Sequence, residues 1–117
     1  MTETATDLRL LSARSGPSLD DHIACFGPLP ASAGHSRKRG RSGDLIEAVE
    51  ASGLRGRGGG AFPTGRKLRA VARSRRRKVV LVNGIESEPV SCKDATLLTE
   101  APHLVLDGAA AVADALG

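Results

Sequence analysis

With 117 residues the chain has room for one domain at most. Hydrophobic residues make up 40% and charged ones 26%, which suits a globular protein, but two Phe with no Trp or Tyr leave a core built from small aliphatic side chains. The net charge of +4 favours an anionic partner, while the 2% aromatic content removes the stacking platform that single-stranded nucleic acid needs.

Cys25 and Cys92 lie far apart with no CxxC pair, so neither a disulfide framework nor a zinc site is expected. The stretch MTETATDLRLLSARSG carries acidic residues early and no apolar run of signal-peptide length. No segment approaches the ~18 apolar residues of a membrane helix. A cytoplasmic protein with no direct membrane insertion is the expectation.

Residues 1–43 read as a flexible arm. They hold Gly16-Pro17, Gly27-Pro28-Leu29-Pro30 and a basic run at Arg37, Lys38, Arg39 and Arg41, and lack periodicity except over Leu19 to Phe26, which suits a helical turn or two. At Asp44 the character changes. Asp44 and Glu47 have the capping-box spacing, Leu45, Ile46 and Val49 share a helical face, and Gly53 supplies a stop, which predicts a helix over Leu45–Ser52.

Five glycines follow at positions 56, 58, 59, 60 and 65. Thr64 is the expected N-cap of a helix through Lys67, Leu68, Val71 and Ala72, and Arg73 to Lys78 form a basic turn. Lys78–Val82 (KVVLV) is the clearest strand, closed by Asn83-Gly84. After an acidic loop from Glu86 to Asp94, Asp94 is expected to cap a short helix over Ala95–Thr99. A longer helix opens at Pro102, in the favoured first-turn position, and runs to Leu116.

One buried-type strand without partners needs neighbours on both edges and helices on both faces. The expectation is therefore the front piece of a larger α/β domain, residues 44–117, incomplete on its own.

The informative motif is Gly53-Leu-Arg-Gly-Arg-Gly-Gly-Gly-Ala-Phe-Pro-Thr-Gly-Arg-Lys67. Glycines let backbone N–H groups close around an anion, and a following helix start adds positive potential. As composition alone, a surface loop or an RGG-type arm competes evenly with a phosphate cradle. Two named motifs fail. Gly60 and Gly65 have P-loop spacing, but Arg66 stands where Lys is required and no hydroxyl follows to meet magnesium. The dinucleotide fingerprint requires a strand before its glycines, and here a helix precedes them.

The order of GLRGRGGGAFPTGRK, VNGIESEP, Lys93-Asp94 and PHLVLDG resembles the FMN- and NADH-binding flavoprotein component of bacterial respiratory complex I, an NADH:quinone oxidoreductase. The resemblance runs from about Asp44 to Gly117. It implies a Rossmann-like FMN-binding domain, FMN and NAD(H) as cofactors, NADH as substrate, and other subunits of an electron-transfer complex as partners. Carried onto this chain, it places Gly56, Arg57, Gly58 and Gly59 beside FMN through their backbone, Phe62 near the dinucleotide and Lys67 on the flavin. Asn83, Glu86, Ser87 and Glu88 line the floor, with Glu88 toward the NADH side. A solvated acidic loop is the bland alternative for Glu86 and Glu88.

The chain departs from the family pattern at three places. Gly59-Gly60-Ala61-Phe62 stands for Gly-Gly-Ala-Gly-Phe, so Ala61 occupies a spot where positive φ would cost about 1 kcal/mol. Ile85 replaces a common Asp, and an aromatic common near Ala70 is absent. The family's Gly-Glu-Glu segment and its [4Fe–4S] cluster are also missing, since four thiolates are required and the chain has two Cys. His22, His35 and His103 are scattered and are expected to be neither ligands nor bases, and the basic runs read as solvated surface.

The expected activity is hydride transfer from NADH to FMN without a protein acid or base. The alternatives are a truncated, non-catalytic accessory or remnant with weak or no nucleotide binding, and a small basic nucleic-acid-binding arm. The resemblance and the shortage of aromatics argue for no nucleic acid.

Overall fold

The structure, a computed structural model, describes residues 16–29, 42–57 and 59–117. The basic run at 37–41, His35 and Gly58 lie outside the described residues. Among the described residues five helices occur in chain order: α1 (Leu19–Phe26), α2 (Ser42–Ala51), α3 (Thr64–Ala72), α4 (Lys93–Glu100) and α5 (Pro102–Leu116). They fall into two compact units, one of residues 16–29 with Val82–Gly108 and one of 42–57, 59–81 and Ala109–Gly117.

In the first unit, α1 is started by Ser18, whose hydroxyl accepts from the Asp21 N–H at 3.1 Å, with Asp20 and Asp21 complementing the helix dipole in the first turn. His22 is its one buried residue, 4% exposed. The Nε2 of His22 lies 2.8 Å from Asp107 Oδ2, and its ring sits 5.2 Å from that of Phe26 and 5.6 Å from that of His103. A buried imidazole needs such a partner, because an unpaired polar group costs about 1–3 kcal/mol. Helix α4 begins one residue before Asp94 and ends at Glu100, and its C-cap Ala101 is buried and leads into Pro102 at the first position of α5.

In the second unit, α2 begins at Ser42, so Asp44 lies in its first turn instead of capping it. Ile46 is buried, and Gly53 ends the helix region with φ 68 while its N–H donates to Glu50 O at 3.1 Å. Helix α3 starts at Thr64 with Pro63 at the N-cap, one residue earlier than the sequence suggests. Pro63 brings its fixed φ to the cap position, and the Thr64 N–H, a first-turn donor with no partner inside the helix, bonds to Leu54 O at 2.9 Å.

Helices α2 and α3 pack closely where Gly65 meets α2: a Cβ at Gly65 would lie 2.8 Å from both Cα and N of Glu50. Further along, Arg69 on α3 is paired with Glu50 on α2. At the other end of the unit, the Lys78 ammonium donates to Leu116 O at 2.5 Å, satisfying a carbonyl at the end of α5 where Ala115 and Leu116 are buried.

The expected strand does not form. Lys78–Val82 runs without a ladder partner, with Val79 78% and Leu81 87% exposed. A β-strand is a relation between two segments, and among the described residues the sole β-type pairing is the isolated bridge of Arg55 with Pro63. The described chain is therefore helical, and the expected α/β arrangement is not built from these residues alone.

Candidate functional site

The glycine-rich segment is a closed loop between α2 and α3. Arg55 and Pro63 form an antiparallel bridge across its neck, where the Gly56 N–H donates to Phe62 O at 3.0 Å. Within the loop the Arg55 guanidinium donates to Ala61 O at 3.2 Å, tying the outgoing and returning limbs together. Gly59 has φ 67, and Ala61 has φ 45. The strain anticipated for a non-glycine residue at this place is thus present, costing about 1 kcal/mol.

The limbs enclose a shallow depression of about 460 Å³ lined by Gly53, Arg55, Gly56, Arg57, Gly59 and Ala61. Arg57, Gly59 and Gly60 make no hydrogen bond among the described residues, so their backbone N–H groups remain available. An anion or a ligand's polar edge could be held there by peptide dipoles, the role that glycine loops perform when no side chain blocks the approach. A Cβ at Gly56 would meet only Phe62 backbone atoms at 3.8–4.0 Å, so local packing does not demand glycine at this position.

At the foot of the loop Phe62 is 51% exposed, and the Arg66 guanidinium carbon lies over its ring at 5.8 Å from the centroid. Lys67 is exposed on the first turn of α3. The structure thus gathers Gly56, Arg57, Gly59 and Phe62 into one loop, with Lys67 on the helix that follows.

Asn83, Glu86, Ser87 and Glu88 belong to the other compact unit. The Asn83 side chain accepts from the Ile85 N–H at 3.0 Å, a local turn that fixes the start of the loop. Glu86 has a definite occupation: Oε2 accepts from the N–H groups of Asp94 at 3.0 Å and Ala95 at 3.2 Å, capping α4 from outside the helix. Lys93 lies 3.5 Å from Oε1 of Glu86 and 2.8 Å from Asp94, and the Asp94 carboxylate, with Glu86 adding to it, holds the Lys93 ammonium above its ordinary value. Ser87 and Glu88 are exposed, and the Glu88 carbonyl accepts from the Ser91 N–H at 3.0 Å.

Sequence reasoning passes over Arg66, although its spacing of four from Phe62 is a readable signal. It also passes over the pairing of His22 with Asp107, which are 85 positions apart and share no local pattern. Among the described residues no group of three or more His, Cys, Asp and Glu side chains could hold a metal ion, and no helix is long and apolar enough to cross a membrane.

Residues 49–117 match the family of the Nuo51 FMN-binding domain. The chain is 43% identical over 75 residues to the F subunit of the NADH-quinone oxidoreductase of Rhodobacter capsulatus, covering 62% of this chain and 17% of that protein. It is 47% identical over 66 residues to the F subunit of the NADH-quinone oxidoreductase of Streptomyces coelicolor, covering 56% of this chain and 15% of that protein. The matched segment thus spans about a sixth of the length of these relatives. No solved structure matches the chain.

Proposed function

The chain belongs to the family of the Nuo51 FMN-binding domain, and from that footing we propose that it supplies one wall of an FMN site in an NADH-oxidising flavoprotein. The observation that carries this reading is the closed loop at 53–65, with its bridged neck and unengaged backbone N–H groups at Arg57, Gly59 and Gly60. When bound, FMN accepts hydride from NADH and releases the electrons singly.

The chain's own part is positioning and electrostatics. Gly56, Arg57 and Gly59 would hold FMN through their backbone, with Gly58 of the same motif, Lys67 would bring positive charge to the flavin, and Phe62 would offer a stacking face to the dinucleotide. Asn83, Glu86, Ser87 and Glu88 serve as floor residues. Of these, the Glu86 carboxylate is engaged in capping α4, while Ser87 and Glu88 are exposed. Lys78–Val82 takes its place as a strand when the remaining parts of such a domain pair with it. The other subunits of a respiratory complex are the partners, and the chain works on the cytoplasmic side of the membrane through them.

A second reading, an accessory protein that keeps the fold segment without catalysis, is favoured by the commitment of Glu86 to capping α4. One experiment separates the two. The purified chain is incubated with FMN, passed through gel filtration, and its visible spectrum recorded. Flavin bands that travel with the protein uphold the first reading, and a colourless protein fraction sinks it.

A further inference from the structure

The basic turn that follows α3 has no part in the glycine loop. Between Glu50 and Glu86 the chain has ten Lys and Arg and no Asp or Glu. Several of these cations are engaged: Arg69 is paired with Glu50, Arg55 donates to the Ala61 carbonyl, and Lys78 holds the end of α5. Arg75, Arg76 and Arg77 are exposed, and their guanidinium groups make no hydrogen bond or ion pair among the described residues.

The turn is pinned at both ends. The Ser74 N–H donates to Val71 O at 3.0 Å, and the Ser74 hydroxyl accepts from the Arg76 N–H at 3.2 Å. Beyond the arginines the Lys78 ammonium turns inward to Leu116 O. From there exposure alternates: Arg77, Val79 and Leu81 are exposed, whereas Lys78 and Val80 are half-buried. With a period of two the exposed side chains share one side, so two bare aliphatic groups continue directly from a cluster of guanidiniums. Pairing of Lys78–Val82 as a strand would engage its backbone edges and leave the side chains of that face as they are.

We propose that Arg75, Arg76 and Arg77, with Val79 and Leu81, form a contact surface for a bilayer containing anionic lipid. A guanidinium fork matches phosphate oxygens in pairs. A membrane surface offers phosphate with hydrocarbon directly beneath it, and this strip presents both kinds of partner, Arg and then Val and Leu. A nucleic acid offers phosphate without a hydrocarbon layer, and with two Phe and no Trp or Tyr the chain has little to stack on bases. Attachment of this kind stays in the headgroup region, draws on the negative surface potential and needs no spanning helix. It stands independently of flavin binding.

The test is co-sedimentation of the full chain with phosphatidylcholine vesicles prepared with and without phosphatidylglycerol. Binding is expected only where phosphatidylglycerol is present, and it should weaken as salt rises. Arg75→Gln, Arg76→Gln and Arg77→Gln together are expected to weaken it about tenfold or more. The chain has no Trp, so Leu81→Trp supplies a unique reporter whose emission should shift to the blue on anionic vesicles and stay unshifted on duplex DNA. Equal binding to the two kinds of vesicle, or to neither, overturns the proposal. So do unchanged binding in the triple Gln variant, an unshifted Trp emission on anionic vesicles, and tighter binding to duplex DNA or polyglutamate than to anionic vesicles at matched salt.

Discussion

Arg69 grips Glu50 with two donors: Nε donates to Oε1 at 2.7 Å and Nη2 donates to Oε2, so the fork of the guanidinium matches both oxygens of one carboxylate. The pair links α2 to α3, the two helices from which the glycine loop is hung.

This pair predicts an acid sensitivity. The hydrogen bond from Arg69, aided by the charges of Arg69 and Arg73, holds the Glu50 carboxyl below its ordinary range. A carboxylate with a depressed folded-state pKa contributes stability that is fully present above its unfolded-state value and is lost as pH falls through the folded one. Thermal unfolding followed from neutral pH into the acid range should show a small extra loss in the unaltered chain below the usual glutamate range. Glu50→Gln should lack that component, and superimposable pH profiles for the two proteins would refute its assignment to this pair.

Gly65→Ala should push α3 off α2. The added Cβ would lie 2.8 Å from both Cα and N of Glu50, and backbone atoms cannot step aside as a side-chain tip can. Overpacking of this kind costs about 1–3 kcal/mol, and exceeds the helix-propensity gain of about 1 kcal/mol from replacing Gly. Urea unfolding should record a net loss, and a neutral or stabilised variant would show that the close approach is not needed.

Ala61 invites substitution in both directions. At φ 45 it carries strain of about 1 kcal/mol. Ala61→Gly removes that strain while adding unfolded-state freedom of about 0.4–1 kcal/mol, so its unfolding free energy should stay level or rise slightly. Ala61→Val puts a β-branched side chain in the same conformation and should lose more than about 1 kcal/mol. Equal stability of the Gly and Val variants in chemical denaturation would argue against the left-handed conformation.

Glu86→Ala should loosen the start of α4. Two backbone N–H groups lose their acceptor, a loss comparable to that of an N-cap at about 1 kcal/mol. Hydrogen exchange should accelerate at the amides of Asp94 and Ala95 before it does at those of α5. Unchanged protection at both would mean that the carboxylate is not the cap.

The helices are legible where their signals are local. Pro102 at a first-turn position and the apolar spacing after it give α5 its observed bounds, and α1 is visible in the patch from Leu19 to Phe26. The observed starts of α2, α3 and α4 come one to three residues before the expected ones, since side-chain type alone does not separate a cap from a first-turn position. The strand at Lys78–Val82 is suggested by β-branched content, yet pairing depends on a second segment that these residues do not supply. The loop glycines announce a backbone-lined cradle, and the bridge of Arg55 with Pro63 closes its neck. The turn of Glu86 onto α4 is hidden, since a carboxylate in an acidic loop looks the same whether it faces solvent, ligand or a helix end.

The contact between His22 and Asp107 has a practical consequence for dissecting this protein. The match to the Nuo51 FMN-binding domain family starts at residue 49, inside α2 and well after α1. Trimming to the matched stretch would cut α2 within its length and strip the imidazole from Asp107, leaving that carboxylate and the His103 ring without the neighbour that covers them. The boundary of that match and the boundary of physical integrity do not coincide, so a minimal fragment for binding work has to retain residues upstream of residue 49.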